Sequence, residues 1–414
     1  MGLEVLQMET ICAFRTLKPP GPILERWIPK VDGKTTGLLV AGGDEPYEDS
    51  VREHAHELST TYDVPIYIVN GKGREALYSV RDNLIGNSDA QHQLELLRTR
   101  RRYSYGVGTD DAYSAANALD AECVQFIDDD TGPIPGIDVV SRHRDIIKAR
   151  RAVAVTGDYL GDGWLATNLF PRPSQGACIA SEFMRHLPSR GPVQTTVTSL
   201  FAQVDEPADF LIGGVSMVSP EMYRVLPCCA IPEATGTDDI FPGFLASRVF
   251  PGRVRRSGAA VIHFHAAGRK ELPQVRKYLR NVTRAVAFFA LLNGDWLDWL
   301  TGILLANIAG QRATVTKCPA LDDLAARQAV TRFFMQLQQT KEEASDRLPL
   351  PIAQVIDALD KDGSGRTAFE ETMGVIETAM DGLREYAQLL AAWPCILKAM
   401  DEDIRARFKA AAQC

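Results

Sequence analysis

No Cys-x-x-Cys pair occurs among the eight cysteines of this 414-residue chain. That spacing excludes a zinc ribbon or a small disulfide-stapled domain. Cys228 and Cys229 are adjacent and cannot bridge without strain, so free thiols and a cytoplasmic location are expected. Met1 to Arg15 has no secretory pattern, because Glu4, Glu9 and Arg15 interrupt its apolar residues. Net positive charge is also missing: the formal value is -8 at pH 7, which gives no general attraction for nucleic acid. No 20–50-residue repeat is present. The longest apolar stretch, 285–309, contains Asp295 and Asp298. Each would cost about 2.5–3.5 kcal/mol at a bilayer centre, so two protein-buried helices are expected there and no membrane partner.

The chain does contain alternating strand and helix signals. Gly37–Ala41 and Val64–Val69 are short apolar runs that end in polar, Gly-containing turns, and helical segments follow each. A helix over 110–121 leads into Val124–Ile127, a third apolar run. This alternation predicts an α/β fold with a mostly parallel, Rossmann-like sheet. Residues 1–33, with four prolines, read as an irregular N-terminal extension; 34–270 as the catalytic domain; and 271–414, where helical spacing takes over, as a helical C-terminal domain. Those helices are candidates for a homo-oligomer interface or an acceptor-cleft cover.

Chemistry concentrates at Asp128-Asp129-Asp130, where the third run stops before Thr131-Gly132-Pro133. Acids at i and i+2 on a strand end project to one side. A hard divalent cation such as Mg²⁺ or Mn²⁺ prefers oxygen ligands and keeps positions open for phosphate oxygens. Asp44 and Asn70 also fall at strand ends, where ligands of parallel sheets bind. A solvated acidic turn is the competing reading of the triplet. Asp158, Asp162 and Trp164 in the Gly- and Pro-rich stretch to Gln175 form a candidate acceptor contact.

The Asp-x-Asp triplet and the order of segments around it resemble inverting family-2-type glycosyltransferases of the GT-A fold, over roughly 36–268. The resemblance implies a UDP-sugar donor and an essential Mg²⁺ or Mn²⁺. Ala41, Gly42 and Asp44, with Asn70, then stand where the family holds uracil; Asn70 replaces the usual acid. Thr109 and Asn117 fall in a segment similar to the family's nucleotide-contacting Ala-Arg-Asn stretch, with Ala116 in place of its Arg. Asp128 and Asp129 are implied to contact the nucleotide, and Asp128 and Asp130 to hold the metal. Gly213 and Gly214 resemble the family's paired glycines beside the sugar. Asp239, with Asp238 before it, matches the acidic pair that supplies the general base; a helix-start acid pair is the alternative. His263 and His265, spaced by two, match a downstream metal or diphosphate ligand. Nearby Arg253, Arg255 and Arg256 would balance phosphate charge unless they form a solvated loop. Within the family the chain is similar to actinobacterial natural-product transferases, which implies UDP-glucose as donor, a small aminocyclitol or sugar acceptor, and a β-glucoside product.

A second motif competes. Asp360 to Glu371 carries oxygen ligands at positions 1, 3 and 5, Gly365 at 6 and Glu371 at 12, the pattern of an EF-hand loop. It raises the alternative of a non-catalytic calcium-responsive binding protein. A sugar nucleotidyltransferase is a third reading; it would carry a Gly-rich basic loop after its first strand, and Gly42-Gly43-Asp44-Glu45 is acidic.

Overall fold

The computed structural model describes residues 10–15, 25–27, 35–41, 48–69, 71–99, 105–128, 131–161, 205–228, 240–263, 294–313, 315, 318–319, 324, 327–331, 335 and 364–413. Nine strands form one sheet: β1 (Thr10–Arg15), β2 (Thr35–Ala41), β3 (Ile66–Ile68), β4 (Cys123–Asp128), β5 (Thr131–Gly132), β6 (Ala154–Gly161), β7 (Asp205–Pro207), β8 (Ser216–Val218) and β9 (Val254–His263). Their spatial order is β3-β2-β1-β4-β8-β6-β9-β5, with β7 also pairing to β9. The β3-β2-β1-β4 half is parallel throughout. Short β8 then runs antiparallel between β4 and β6, and β6 and β9 are parallel again. The α/β class with a Rossmann-like parallel half is that expected; the reversed strand β8 joins it to a mixed half.

Alternation along each strand explains the layering. Ile11, Ala13, Val124 and Phe126 point into one apolar cluster; Cys12, Phe14, Cys123 and Ile127 point into another on the opposite face. The second face is covered by α1 (Glu48–Tyr62) and α5 (Val139–Arg150). The first is covered by α2 (Gly71–Leu77), α3 (Ser88–Thr99), α4 (Tyr105–Leu119), α6 (Ile240–Val249) and α7 (Gly294–Ile308), with α8 (Ser364–Lys398) and α9 (Glu402–Ala412).

Three readings of the sequence need correction. Thr10–Arg15 is not irregular lead-in; it is the strand between β2 and β4, and Ile11 to Phe14 are fully buried. The four-residue apolar run was visible, but the prolines that follow it suggested a loop. Every strand number after it therefore rises by one.

The described helices after residue 270 do not form a body with their own core. Trp393 Nε1 donates to the Tyr223 carbonyl at 2.8 Å, and Tyr223 Oη donates to the Ala121 carbonyl at 2.7 Å. Phe408 stacks on Tyr67 of the edge strand at 6.4 Å. These helices are a layer of the sheet's own core. Third, α8 starts at Ser364 and continues unbroken past Glu371. An EF-hand loop makes its sharp turn at the glycine of position 6, but here Ser364 and Gly365, positions 5 and 6, are already helical, so the motif is not such a loop.

Five described cysteines (12, 123, 228, 318 and 395) are free thiols, and burial pushes the Cys123 thiol up to about 12. Among the described residues, no helix is long and apolar enough to cross a membrane.

Candidate functional site

The carboxyl ends of β2, β1 and β4 finish level with one another. Ala41 is the register partner of Arg15, and Arg15 that of Asp128. A ligand on such a sheet meets this row first. Asp128 is half-buried, whereas the five residues before it on β4 are buried. Thr131, itself buried, donates its hydroxyl to the main-chain carbonyl of Asp128 at 2.8 Å, and its own carbonyl accepts from Trp27 Nε1 at 3.4 Å. Asp129 and Asp130 lie outside the described residues, as do Gly42, Asp44, Asn70, Asp238, Asp239 and His265.

Thr131 pairs with His263 of β9, which puts the main chain of the predicted histidine beside the residue tied to Asp128. Gly213 and Gly214 are buried in a single 3₁₀ turn that feeds into β8. β8 pairs with β4 at Val124↔Val218 and Gln125↔Met217, and with β6 at Ala154↔Val218, Val155↔Met217 and Thr156↔Ser216. Val124 and Ala154 share Val218 as register partner, so Asp128 and Asp158, each four residues on, come level at the ends of β4 and β6. The 3₁₀ turn packs beside β6: Ile212 N donates to Thr156 Oγ1 at 2.9 Å, and a Cβ on Gly157 would meet Val215 Cγ2 at 2.7 Å.

Helix α6, which follows Asp238 and Asp239 in sequence, packs on the segment that precedes the glycine pair. A Cβ on its Gly243 would collide with the backbone of Phe210 and Leu211, just ahead of the glycine pair. Tight helix-to-loop contact of this kind fixes where α6 starts.

Other predicted residues are elsewhere. Asn117 sits near the C-terminal end of α4, at the opposite edge of the sheet. Its Nδ2 donates to the Leu397 carbonyl at 3.0 Å, capping the last turn of α8. It does not face a nucleotide at the strand ends; the Ala-Arg-Asn likeness placed it correctly in sequence, but the helix carries it away. Thr109, eight residues earlier, lies in the α4 segment nearer the strand ends and is buried. The three arginines are committed to carboxylates: Arg253 to Glu221 and Arg255 to Asp205, each at 2.7 Å, and Arg256 to Asp158 at 2.8 Å. They hold β9 to its neighbours rather than balancing phosphate. Arg255 and Arg150, against the opposing effect of burial, hold the Asp205 carboxyl below its usual range.

One constellation was not read from the sequence. Gln125 of β4, His143 of α5 and Ser257 of β9 are all fully buried. His143 Nδ1 lies 2.8 Å from Gln125 Oε1, and Nε2 lies 2.8 Å from Ser257 Oγ. Gln125 Nε2 already donates to the Phe126 carbonyl at 3.0 Å. Its Oε1 must therefore accept, which puts the imidazole proton on Nδ1 and makes Nε2 the acceptor of the serine hydroxyl. Burial, with Arg142 adding to it, pulls the His143 pKa down to about 3. The ring is neutral and fully inside, so the trio braces strands and does no proton chemistry.

Among the described residues, no three His, Cys, Asp or Glu side chains converge on a metal-sized point. What is described still fits a Mg²⁺- or Mn²⁺-type ion. Such ions need only one or two protein carboxylates and keep other positions for water and phosphate; Asp128 places a half-buried hard oxygen donor at the carboxyl end of β4.

No family model matches the chain, and no curated protein matches it. Among solved structures, a mycobacterial protein is similar at 11% identity over 76% of this chain and 81% of that one, with a TM-score of 0.32. Glucosyl-3-phosphoglycerate synthase from Mycobacterium tuberculosis, in complex with phosphoglyceric acid, is similar at 12% identity over 74% and 82%, with a TM-score of 0.37. Likeness at that level leaves the activity to be read from the site itself.

Proposed function

We propose that this protein is a metal-dependent, inverting glycosyltransferase that moves a hexose from a nucleotide-diphosphate donor to a hydroxyl of a small acceptor. The observation that carries the reading is the meeting, at one sheet edge, of Asp128 on a parallel strand and the Gly213-Gly214 turn entering the reversed strand β8. Asp128 and Asp130 would hold Mg²⁺ or Mn²⁺, which when bound neutralises charge on the departing diphosphate. Asp239, just ahead of α6, takes the acceptor hydroxyl's proton as that oxygen attacks the sugar C1 from the face opposite the nucleotide. Help of this kind is worth typically about 10²–10⁴-fold. The new C–O bond forms as the C1–O bond to the diphosphate breaks, with inversion.

In its finer form, the donor is UDP-glucose, with Ala41, Gly42, Asp44 and Asn70 at the base and ribose. The acceptor is a pseudo-disaccharide aminocyclitol of the validoxylamine A kind, and the setting is antibiotic biosynthesis in the cytoplasm. His263, with His265, serves the diphosphate side. The calcium-binding alternative is disfavoured by the helical course of 364–371. The nucleotidyltransferase alternative must be weighed again, because the true first strand ends in Arg15 and Lys18 follows in the sequence. The sequence after that strand has Pro19, Pro20 and Pro22 but a single glycine, which suits a backbone phosphate cradle poorly.

The test is turnover of UDP-glucose with validoxylamine A and Mn²⁺, followed by separation of products. Release of UDP with a new β-glucoside, lost in Asp239→Asn while UDP still raises Tm, supports the reading. Pyrophosphate release from UTP and glucose 1-phosphate, or transfer undiminished by EDTA, overturns it.

A further inference from the structure

The carboxylate of Asp158, near the end of β6, accepts two hydrogen bonds from Arg256: Nε to Oδ1 at 3.2 Å and Nη2 to Oδ2 at 2.8 Å. The remaining nitrogen of the fork, Nη1, reaches Glu206 Oε1 at 3.1 Å. Thus one guanidinium ties β6, β9 and β7 together, each of its three nitrogens engaged by a carboxylate. The carboxylate differs. It keeps unused lone pairs, and its side chain stays 15% exposed where Arg256 and Glu206 are 36% and 39% open.

Its direction is set by an irregularity. Thr156 pairs with Arg256, but Asp158 pairs with Ala260, so β9 bulges through Ser257, Gly258 and Ala259. Bulges re-aim side chains beside functional sites. This one is braced from below: Ser257 Oγ contacts His143 and accepts the Ala259 amide at 3.3 Å. Gly157 lets the strands close, since a Cβ there would lie 2.7 Å from the Ala259 carbonyl oxygen.

Asp128 and Asp158 are level at the ends of β4 and β6, each four residues past a register partner of Val218. Two strand spacings separate the two strands, about 10 Å between Cα atoms, and the Gly213-Gly214 turn leads into the strand between them.

We infer that Asp158 is the residue that binds hydroxyls of the transferred hexose: the diphosphate end of the donor sits at Asp128, and its sugar crosses Gly213-Gly214 to reach the Asp158 carboxylate. The inference rests on the function proposed above. A carboxylate already held by a bidentate arginine is pre-oriented, so accepting a sugar O–H costs little side-chain entropy.

The experiment compares UDP and UDP-glucose, each with Mg²⁺, on the whole chain by calorimetric titration. The proteins are wild type, Asp158→Asn, Asp158→Glu and Glu206→Gln. Wild type is expected to bind UDP-glucose more tightly than UDP. Asp158→Asn should lose about 10- to 100-fold of the UDP-glucose affinity, the range for a hydrogen bond to a charged group, with UDP affinity unchanged. Asp158→Glu, which keeps the charge for Arg256 but displaces the oxygens, should lose the same preference. Glu206→Gln should stay within twofold. Asp158 variants that keep the wild-type preference, or that lose UDP and UDP-glucose alike, overturn the inference and leave the proposed function standing. Equal wild-type affinity for both ligands also overturns it. A wild type that binds neither overturns the function itself, and this assignment with it.

Discussion

The 2.8 Å contact between His143 Nδ1 and Gln125 Oε1 joins helix α5 to the strand that ends in Asp128. It also makes a titration prediction. The His143 pKa is about 3 in the folded protein against 6.5 for an exposed ring. Below pH 6.5 the unfolded chain binds a proton that the native state refuses. The stabilisation is therefore whole above 6.5 and is lost as pH falls from 6.5 toward 3. One proton corresponds to about 1.4 kcal/mol per pH unit. Urea unfolding at pH 7.5, 6, 5 and 4.5 should show wild type losing stability more steeply than His143→Gln by about that slope. Parallel curves would mean that the native ring is protonated or open to water.

At the end of β4, the hydroxyl of Thr131 holds the main-chain carbonyl of Asp128, not its carboxylate. Substituting the side chain should therefore spare that bond. Asp128→Asn is expected to keep wild-type Tm within a degree or two while losing the Mg²⁺-dependent part of UDP binding and about 100-fold or more in kcat/KM, the range for removing electrostatic stabilisation at a reacting phosphate. Loss of Tm without loss of UDP binding would make Asp128 a structural acid.

The contrast between these two sites marks what the sequence could disclose. Asp128 was legible because a strand of five buried residues stops at three acids, and local pattern alone puts them at a sheet's carboxyl edge. Gly213 and Gly214 were legible as a motif, but only the antiparallel course of β8 brings them to Asp128. Gln125, His143 and Ser257 are up to 132 positions apart, and nothing local distinguishes a satisfied buried histidine from an exposed one. β1 was missed for a different reason: six residues is a short signal, and the prolines after it outweighed it. Asn117 failed because a motif gives a residue type but not which end of a helix it occupies.

Gly365 separates the two readings of the 360–371 motif. In a calcium loop this position makes the sharp turn that only glycine tolerates, so Gly365→Ala would be disruptive. In α8, Gly365 is the second helical residue, where alanine is better than glycine by up to about 1 kcal/mol. Gly365→Ala should therefore leave Tm unchanged or raise it, and millimolar Ca²⁺ should add no stabilisation beyond that seen with Mg²⁺. A lower Tm together with calcium-dependent recovery in wild type would restore the EF-hand.

Asn117 provides the sharpest check on how the C-terminal helices are used. Its amide meets the Leu397 carbonyl one residue before α8 ends, where a helix has carbonyls without intrahelical partners. The side chain is buried, so removing it takes one of that carbonyl's two donors, the Met400 amide at 3.3 Å remaining, at a cost of about 0.5–1.5 kcal/mol. Asn117→Ala should lower stability by that amount in urea unfolding, while UDP affinity and the KM for the donor stay within twofold of wild type. Asn117→Asp, nearly isosteric, should be worse than alanine, because it sets a carboxylate against a carbonyl at the negative end of a helix. If donor KM instead rises tenfold with stability intact, Asn117 faces the nucleotide after all, and the packing of α8 against α4 described above is wrong.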